Sequence, residues 1–150
     1  MRYEVSEAIP EDAKAIRKAV FVEEQGFHNE FDQTDDVSLH IVAYDGDDPA
    51  GVCRIFPDRG KTWTLGRVAV LKPYRGQHLG ANLVGRAEET ARSRGADRLT
   101  LHAQERVAGF YESLGYNDMG IHDQDEGCPH MWMDKPLTGS IGNEPEDQVS

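Results

Sequence analysis

The sequence predicts a single α/β domain with a mixed, mostly antiparallel sheet and flanking helices. The chain has 150 residues, 38% of them hydrophobic, which suits one ordinary domain with a packed core. Its first half reads as strands joined by connections of a few residues, which is typical of an antiparallel meander. Its second half contains a strand, a long helix and another strand, which is the pattern of a βαβ unit with one parallel pair.

The elements of the first half follow from alternation and turn residues. Residues 3–8 alternate as a strand, and Pro10 with the acids after it favours the start of a helix. A second helix is predicted over residues 21–25, followed by a polar, acidic loop over residues 29–36. The further strands predicted here are residues 39–44, 51–56 and 62–71, with turns at 45–48 and 57–60.

The second half opens with helical spacing. Apolar positions over residues 79–94 recur every three or four residues, and Gly95 is suited to end that helix. A strand over residues 98–103, a short helix over 107–114 and a final strand that includes 131–133 complete the domain. We therefore predict a domain of residues 1–137, followed over residues 138–150 by a flexible acidic tail rich in Gly, Pro and acids.

The net charge disfavours some classes of binding partner. The chain carries 27 acidic and 16 basic side chains, a formal charge of −11, which disfavours nucleic acid and anionic membranes. There is no apolar run long enough to span a bilayer and no basic, apolar export signal, so a cytoplasmic location is predicted. An acid-rich sequence with 11 Arg and 5 Lys fits either a salt-adapted protein or a merely acidic one.

The cysteines favour free thiols. Cys53 and Cys128 are 75 positions apart and form no CxxC pair, so both are expected as buried, reduced side chains. His122, Cys128 and His130 make only a loose trio, and no metal site is predicted because structural zinc needs four ligands at paired spacing. The aromatic residues expected in the core are Trp63, Phe110 and Trp132.

One stretch has the residues of an anion site. Between the strand 62–71 and the helix 79–94, Pro73 and Gly76 favour a turn, and Gly76 and Gly80 leave the backbone bare where the helix begins. A helix N-terminus presents unpaired N–H groups and a positive dipole end, and Arg75 adds a forked cation beside it. This predicts a diphosphate site, although neither GxxxxGK[ST] nor GxGxxG is present.

Two motifs resemble those of a known family. Residues 75–80, RGQHLG, resemble the acetyl-CoA motif (Q/R)xxGx(G/A) of the GCN5-related N-acetyltransferases (GNAT), and residues 110–116, FYESLGY, resemble the later FYxxLGF signature. Tyr111 follows Arg75 by 36 residues, which is the expected order and spacing. The resemblance covers about residues 2–137. The stretches IRKAVFVEEQGF, RVAVLKPYRG, LTLHAQ and PHMWMDKPL are similar to the YjcF/ElaA-like branch.

The resemblance implies a cofactor site. In this family two parallel strands splay apart, here residues 65–71 and 98–103, so that pantetheine pairs with the exposed edge of the first while the diphosphate lies on amides before the helix. The implied acetyl-CoA contacts are Val68, Ala69, Val70, Arg75, Gly76, Gln77, His78, Leu79, Gly80, Ala81, Gln104 and Tyr111.

Two of these residues depart from the family pattern. His78 stands where the motif usually has Gly, so its side chain either crowds the diphosphate or points outward and leaves the amide donor in place. Gln104 stands where many relatives have Asn, which keeps an amide but lengthens its reach.

The resemblance also implies acetyl transfer from acetyl-CoA to an amine by direct attack, with CoA as product. Tyr111 resembles the family tyrosine that gives a proton to the departing thiolate. The candidates for a base or a substrate-orienting group are Glu24, His102 and His130, with a water chain as an equal alternative.

The identity of the acceptor stays open at this point. A small primary amine is favoured, with a protein N-terminus or a lysine as further possibilities and a homodimer as a possible assembly. The alternatives are a non-catalytic acyl-CoA-binding or regulatory domain, and an enzyme for a longer acyl group.

Overall fold

The computed structural model describes residues 1–28 and 31–137. The tail predicted over residues 138–150 lies outside them, as do Asn29 and Glu30 of the predicted acidic loop. The strands are β1 (Arg2–Ser6), β2 (Leu39–Asp45), β3 (Asp48–Arg59), β4 (Thr62–Val70), β5 (Arg98–Gln104), β6 (Asn117–Asp125) and β7 (Cys128–Pro136). The helices are α1 (Glu11–Arg17), α2 (Leu79–Ser93) and α3 (Ala108–Ser113), and α1 continues as a π-helical segment (Lys18–Glu24).

The strands form one sheet in the order β1-β2-β3-β4-β5-β7-β6. Every neighbouring pair is antiparallel except β4 with β5, which are parallel because α2 connects them. The predicted fold class, a mixed and mostly antiparallel sheet with flanking helices, is confirmed.

The sheet separates two apolar cores, because successive strand residues face opposite sides. On one side α1 and the π-helical segment pack Ile16 and Val20 against Val42 of β2. On the other side α2 packs Leu83 against Ile41 in the larger core. Each of these five side chains is at least 96% buried, so the two layers fix both strands and helices in place.

Several predicted boundaries in the first half are wrong. β3 continues through Arg59, so the turn that was predicted over residues 57–60 lies at 60–61 instead. Pro57 is tolerated because β2 accompanies β3 only as far as Ile55, which leaves later residues with a neighbour on one side. The predicted acidic loop contains a short 3₁₀ helix, Gln33–Val37, which begins with a reciprocal cap between Asp32 and Asp35.

The two cysteines are unpaired, as predicted. Cys53 is fully buried, and burial raises the pKa of its thiol to about 12, which makes it unreactive at neutral pH. Cys128 is only partly buried, so its predicted burial is wrong, because it opens β7 at the tip of the β6–β7 hairpin. In the described ranges there is no helix long and apolar enough to cross a bilayer.

Candidate active site

β4 and β5 pair only over their first residues and then separate. Their parallel ladder ends where Leu65 lies opposite Leu101, whereas β4 continues to Val70 and β5 to Gln104. Beyond Leu65 the sheet therefore contains a gap between two central strands. This is the splayed pair that the family resemblance implied.

An extra residue in β4 marks the start of the gap. Between the pairs Arg54–Gly66 and Val52–Ala69, β3 has one residue and β4 has two. The first of those two, Arg67, has a φ of 53°, a left-handed conformation that is uncommon for a residue with a side chain. Such a bulge bends its strand and increases the local twist, which directs β4 away from β5.

Two cavities meet at this gap. A cavity of about 160 Å³, here called the gap cavity, lies between the separated strands. A second one of about 410 Å³, the helix cavity, lies between β4, the start of α2 and α3. Val68, Val107 and Tyr111 line both, so the two cavities adjoin at these residues.

The start of α2 offers free donors to the helix cavity. The first backbone hydrogen bond of the helix runs from the Asn82 N–H to the His78 carbonyl at 3.0 Å. The N–H groups of Leu79, Gly80 and Ala81 therefore have no acceptor within the helix, and they lie at the positive end of its dipole. These free donors lie where the sequence predicts an anion site.

The loop before α2 explains the glycine of the family motif. His78 has a φ of 63° and Gly76 a φ of 81°, so both positions need a left-handed backbone that favours glycine. The imidazole of His78 is exposed at the edge of the helix cavity. The Gln77 side chain turns back, and its Nε2 donates to the Pro73 carbonyl at 3.3 Å.

The exposed edge of β4 faces the gap. The Leu71 N–H donates to the Ala50 carbonyl of β3 at 3.0 Å. Because the backbone groups of a strand alternate in direction, Val70 and Val68 present theirs to the gap side. The Val70 carbonyl accepts a hydrogen bond from Arg75 Nε at 2.8 Å. Val68 and Val70 thus have the orientation that pairing with an extended ligand requires.

Arg75 is held by Glu24 of the π-helical segment. Its Nη1 and Nη2 donate to the two carboxylate oxygens of Glu24, each at 2.8 Å. The hydrogen bond from Arg75 lowers the pKa of Glu24, which makes this carboxylate a poor proton acceptor. Glu24 lines a surface groove with Val20 and Lys72 and does not line the gap cavity.

His102 and His130, the other two candidates for a base, both line the gap cavity. Their ring centroids are 4.6 Å apart, and His102 also stacks on Trp132 with centroids 4.8 Å apart and an interplanar angle of 22°. His102 Nε2 lies 2.6 Å from Asp123 Oδ1, and His130 Nδ1 lies 2.8 Å from the Cys128 carbonyl. The structure therefore brings these two histidines together and leaves Glu24 apart from them.

Gln104 closes one end of the gap cavity. Its Nε2 donates to Gln25 Oε1 at 2.8 Å, and its Oε1 accepts from Arg106 Nε at 2.8 Å. The longer side chain of Gln thereby links β5 to the end of the π-helical segment.

Tyr111 reaches the junction of the two cavities from α3. Its side chain is 9% exposed, and its ring packs edge-on against Phe110 and Tyr116 with centroids 5.0 and 5.9 Å away. Its hydroxyl makes no hydrogen bond with residues 1–28 or 31–137. Burial raises the pKa of the phenol, with a smaller contribution from the Cys53 thiol, so the group stays protonated at neutral pH.

Two of the aromatic predictions need correction. Phe110, expected in the core, is 37% exposed and lines the helix cavity, where a Cβ on Gly80 would lie 3.4 Å from its ring. Trp132 is half-buried and stacks on a histidine of the gap cavity, as described above. Trp63, in contrast, packs against the larger core as expected.

Sequence reasoning missed one wall of the gap cavity. Gln25 and Phe27 line it from the segment after the π-helical turn, and Glu126 lines it from the β6–β7 hairpin. Glu126 has a φ of 50°, and both of its carboxylate oxygens accept the His28 N–H, at 2.9 and 3.1 Å. The only sequence signal was the stretch VFVEEQGF, which resembles the family. That resemblance did not indicate that this stretch contacts the β6–β7 hairpin.

Metal ligation has no support in the part of the chain that the structure describes. Across residues 1–28 and 31–137, no three His, Cys, Asp or Glu side chains form a metal-binding group. His122, one of the loose trio considered above, is hydrogen-bonded to Glu105 and Asp118 instead.

Known proteins share this architecture. Residues 5–116 match the model of the acetyltransferase (GNAT) family. The N-acetyltransferase YjcF of Bacillus subtilis, itself uncharacterised, is 36% identical over 129 residues, which cover 83% of this chain and 90% of YjcF. The crystal structure of Escherichia coli ElaA superposes with a TM-score of 0.80 at 25% identity and covers 89% of this chain and 98% of ElaA.

A more distant structure supports the fold alone. An aminoglycoside 6'-N-acetyltransferase complexed with coenzyme A has a TM-score of 0.69 at 17% identity, covering 93% of this chain and 99% of that one. Together with the splayed strands and the two adjoining cavities, the family match and the relatives lead to one conclusion. The chain belongs to the acetyltransferase (GNAT) family, as an N-acetyltransferase similar to YjcF and ElaA.

Proposed function

We propose that this enzyme transfers the acetyl group of acetyl-CoA to the primary amine of a small molecule by direct attack. The observation that carries the proposal is that two cavities adjoin at the gap in the sheet, where Val68, Val107 and Tyr111 line both the helix cavity and the gap cavity. A nucleotide-bearing thioester in one cavity and an amine in the other would meet at this junction.

The described residues fit acetyl-CoA. The free N–H groups of Leu79, Gly80 and Ala81 would hold the diphosphate, with those of Gln77 and His78 in the same loop. Gly80 allows close approach beside the Phe110 ring. The residues proposed to contact the pantetheine arm are Val68 and Val70 along β4, with Arg75, Gly76 and Gln104 at the ends of the gap. Ala69, which the resemblance also implies, lies between the two valines, but its backbone groups are directed at β3.

The protein groups supply what direct transfer needs. When bound, acetyl-CoA supplies a thioester carbon that accepts the amine nitrogen and a sulfur that leaves. The walls of the gap cavity orient the amine and limit the access of water. Tyr111 remains protonated and donates to the departing sulfur, while the base is to be sought among Glu24, His102 and His130.

Binding is tested by calorimetric titration of the folded protein with acetyl-CoA, with ADP as control. We expect saturable heat with acetyl-CoA and weaker binding of ADP, which has the diphosphate but lacks the pantetheine arm. Absence of heat with acetyl-CoA, for protein that melts cooperatively, would refute the proposed site.

Turnover is tested separately with a thiol reagent, on a panel of alkyl diamines, amino sugars, amino acids, short peptides and lysine-containing peptides. We expect CoA release that depends on one of the small amines. Tight binding of acetyl-CoA without release of thiol for any amine would instead support the non-catalytic, acyl-CoA-binding alternative.

The proposal places the reaction in the cytoplasm, a compartment in keeping with two unpaired cysteines. A homodimer stays a prediction, and light scattering coupled to size-exclusion chromatography measures it directly.

A further inference from the structure

His102 occupies a special position on β5. It is the first residue after Leu101, the last one that pairs with β4, so it lies where the gap opens. Leu101 and Ala103 belong to the larger core on the α2 side, and His102 alternates with them. Its side chain therefore lies on the opposite face of the sheet, where it lines the gap cavity and is 27% exposed.

Asp123 fixes the tautomer of this histidine. A carboxylate oxygen accepts hydrogen bonds, so the 2.6 Å contact with Asp123 Oδ1 requires that His102 Nε2 carries the hydrogen. Nδ1 then keeps its lone pair. Within the described ranges, Nδ1 makes no hydrogen bond. An imidazole with a free lone pair and a carboxylate behind it has the arrangement of an oriented general base.

Their contacts distinguish His102 from His130 as the oriented base. His130 Nδ1 contacts the neutral carbonyl of Cys128, whereas His102 contacts a carboxylate. The indole of Trp132 stacks on His102 and holds the plane of its ring. The other charged groups that line the gap cavity are Arg67, Arg106, Asp125 and Glu126.

We propose that His102 is the general base of the reaction and that Asp123 is its positioning residue. The inference rests on the proposed function, because it needs an amine in the gap cavity. The N–H bond of the acceptor ammonium breaks, and the proton moves to His102 Nδ1. The nitrogen lone pair then forms the C–N bond as the C–S bond breaks, and the sulfur takes the hydroxyl proton of Tyr111. The second proton that the nitrogen loses restores the phenol, and His102 releases the first proton to solvent.

A spectroscopic test needs no substrate. In ¹⁵N-histidine spectra recorded at about pH 8, we expect the Nε2–H tautomer at His102 and the Nδ1–H tautomer at His130. Asp123→Asn should weaken the bias at His102 and leave that at His130. An Nδ1–H tautomer at His102 in the unmodified protein would overturn the inference.

A kinetic test separates base catalysis from a structural role. For an alkyl amine, His102→Gln should lower kcat roughly 100-fold or more, with the Kd for acetyl-CoA changed less than about two-fold. For trifluoroethylamine, which is mostly neutral at pH 7, the same variant should lose far less activity. His130→Gln is the matched control from the same cavity, and we expect less than about a 10-fold loss with either nucleophile.

Asp123→Asn serves as a second variant on an exposed edge strand, and it should show the same difference between the alkyl amine and trifluoroethylamine. Equal losses for the two nucleophiles would overturn the inference alone, as would full activity of His102→Gln. If no amine in the panel is acetylated although acetyl-CoA binds, the proposed function falls and the inference with it.

Discussion

Tyr111 and His102 line one cavity from opposite faces of the sheet. Tyr111 belongs to the core on the α2 side, and His102 alternates with Leu101 and Ala103, which face that core. Only where β4 and β5 separate can groups on the two faces approach a common space. A proton donor and a proton acceptor are thereby separated by the strands and yet open to the same cavity.

Replacing the phenol is the most direct check of the acid. We expect Tyr111→Phe to lower kcat/KM roughly 100-fold while the Kd for acetyl-CoA is retained, because only the proton donor is removed. Steady-state kinetics and calorimetry measure the two quantities. Tyr116→Phe is the control: its hydroxyl donates to Glu88 at 2.9 Å, away from both cavities, and its loss should leave kcat unchanged. An unchanged kcat/KM for Tyr111→Phe would exclude the acid role.

The ion pair between Arg75 and Glu24 predicts that Glu24 competes with the diphosphate of CoA for the Arg75 guanidinium. Because both terminal nitrogens of Arg75 bind Glu24, Glu24→Gln should free the guanidinium and tighten CoA binding by roughly three- to tenfold. Arg75→Gln should weaken it about tenfold. Glu23→Gln removes the same charge from the adjacent exposed residue without freeing Arg75, so it should change the affinity little. Calorimetry at a fixed salt concentration measures the affinity of each variant for CoA. Equal affinities for all three variants would contradict the competition.

The left-handed backbone of His78 predicts a gain in stability. His78→Gly should raise the free energy of unfolding by about 0.5–1 kcal/mol, because glycine adopts a φ of 63° without a steric penalty. His78→Ala, which removes the imidazole but keeps a Cβ, should bring no such gain. Urea denaturation measures both variants. A more stable alanine variant would show that the side chain, and not the backbone, is unfavourable.

A buried ion cluster predicts acid sensitivity. Burial raises the pKa of Asp35, but hydrogen bonds from Arg17 and Arg54 outweigh it and lower the value from 3.8 to about 2. The unfolded chain therefore takes up this proton first as the pH falls. The stabilisation from Asp35 is complete above about pH 4 and is lost as the pH falls toward 2.

Asp35→Asn should cost about 3 kcal/mol at pH 7, because two guanidinium groups lose their carboxylate. Its free energy of unfolding should also fall less steeply between pH 4 and pH 2 than that of the unmodified protein. Parallel pH slopes for the two proteins, measured by urea denaturation, would contradict this assignment.

The sequence predicted the central elements because they have two buried faces or clear periodicity. β6 escaped prediction because each of its nine residues is exposed, so an edge strand with no buried face shows no alternation. Because β6 was not predicted, Asp123, the partner of His102, was not predicted as part of the site either. Pro57 led to the opposite error, a turn predicted where β3 continues. Proline is typical of turns, but it is tolerated in a strand that has no neighbour on one side.

The residues of the candidate site also divide into those that local sequence patterns predicted and those that only the tertiary structure showed. The loop before α2 and Tyr111 were found from local motifs, because a turn, a helix start and a short signature are contiguous in sequence. The pairing of Glu24 with Arg75 joins residues 51 positions apart, and the stacking of His102 on Trp132 depends on strand register. Neither leaves a local pattern, so the three candidates for a base were equivalent until the tertiary structure separated them.

The bulge at Arg67 has an evolutionary consequence. The opening in the sheet comes from a count of residues, two on one strand against one on the next, and owes little to the chemistry of any side chain. Point substitutions along this segment can therefore drift widely while the opening persists. Deletion of one residue here would restore an even ladder and close the gap in the sheet. The length of this segment should therefore be under stronger selection than the identity of its residues.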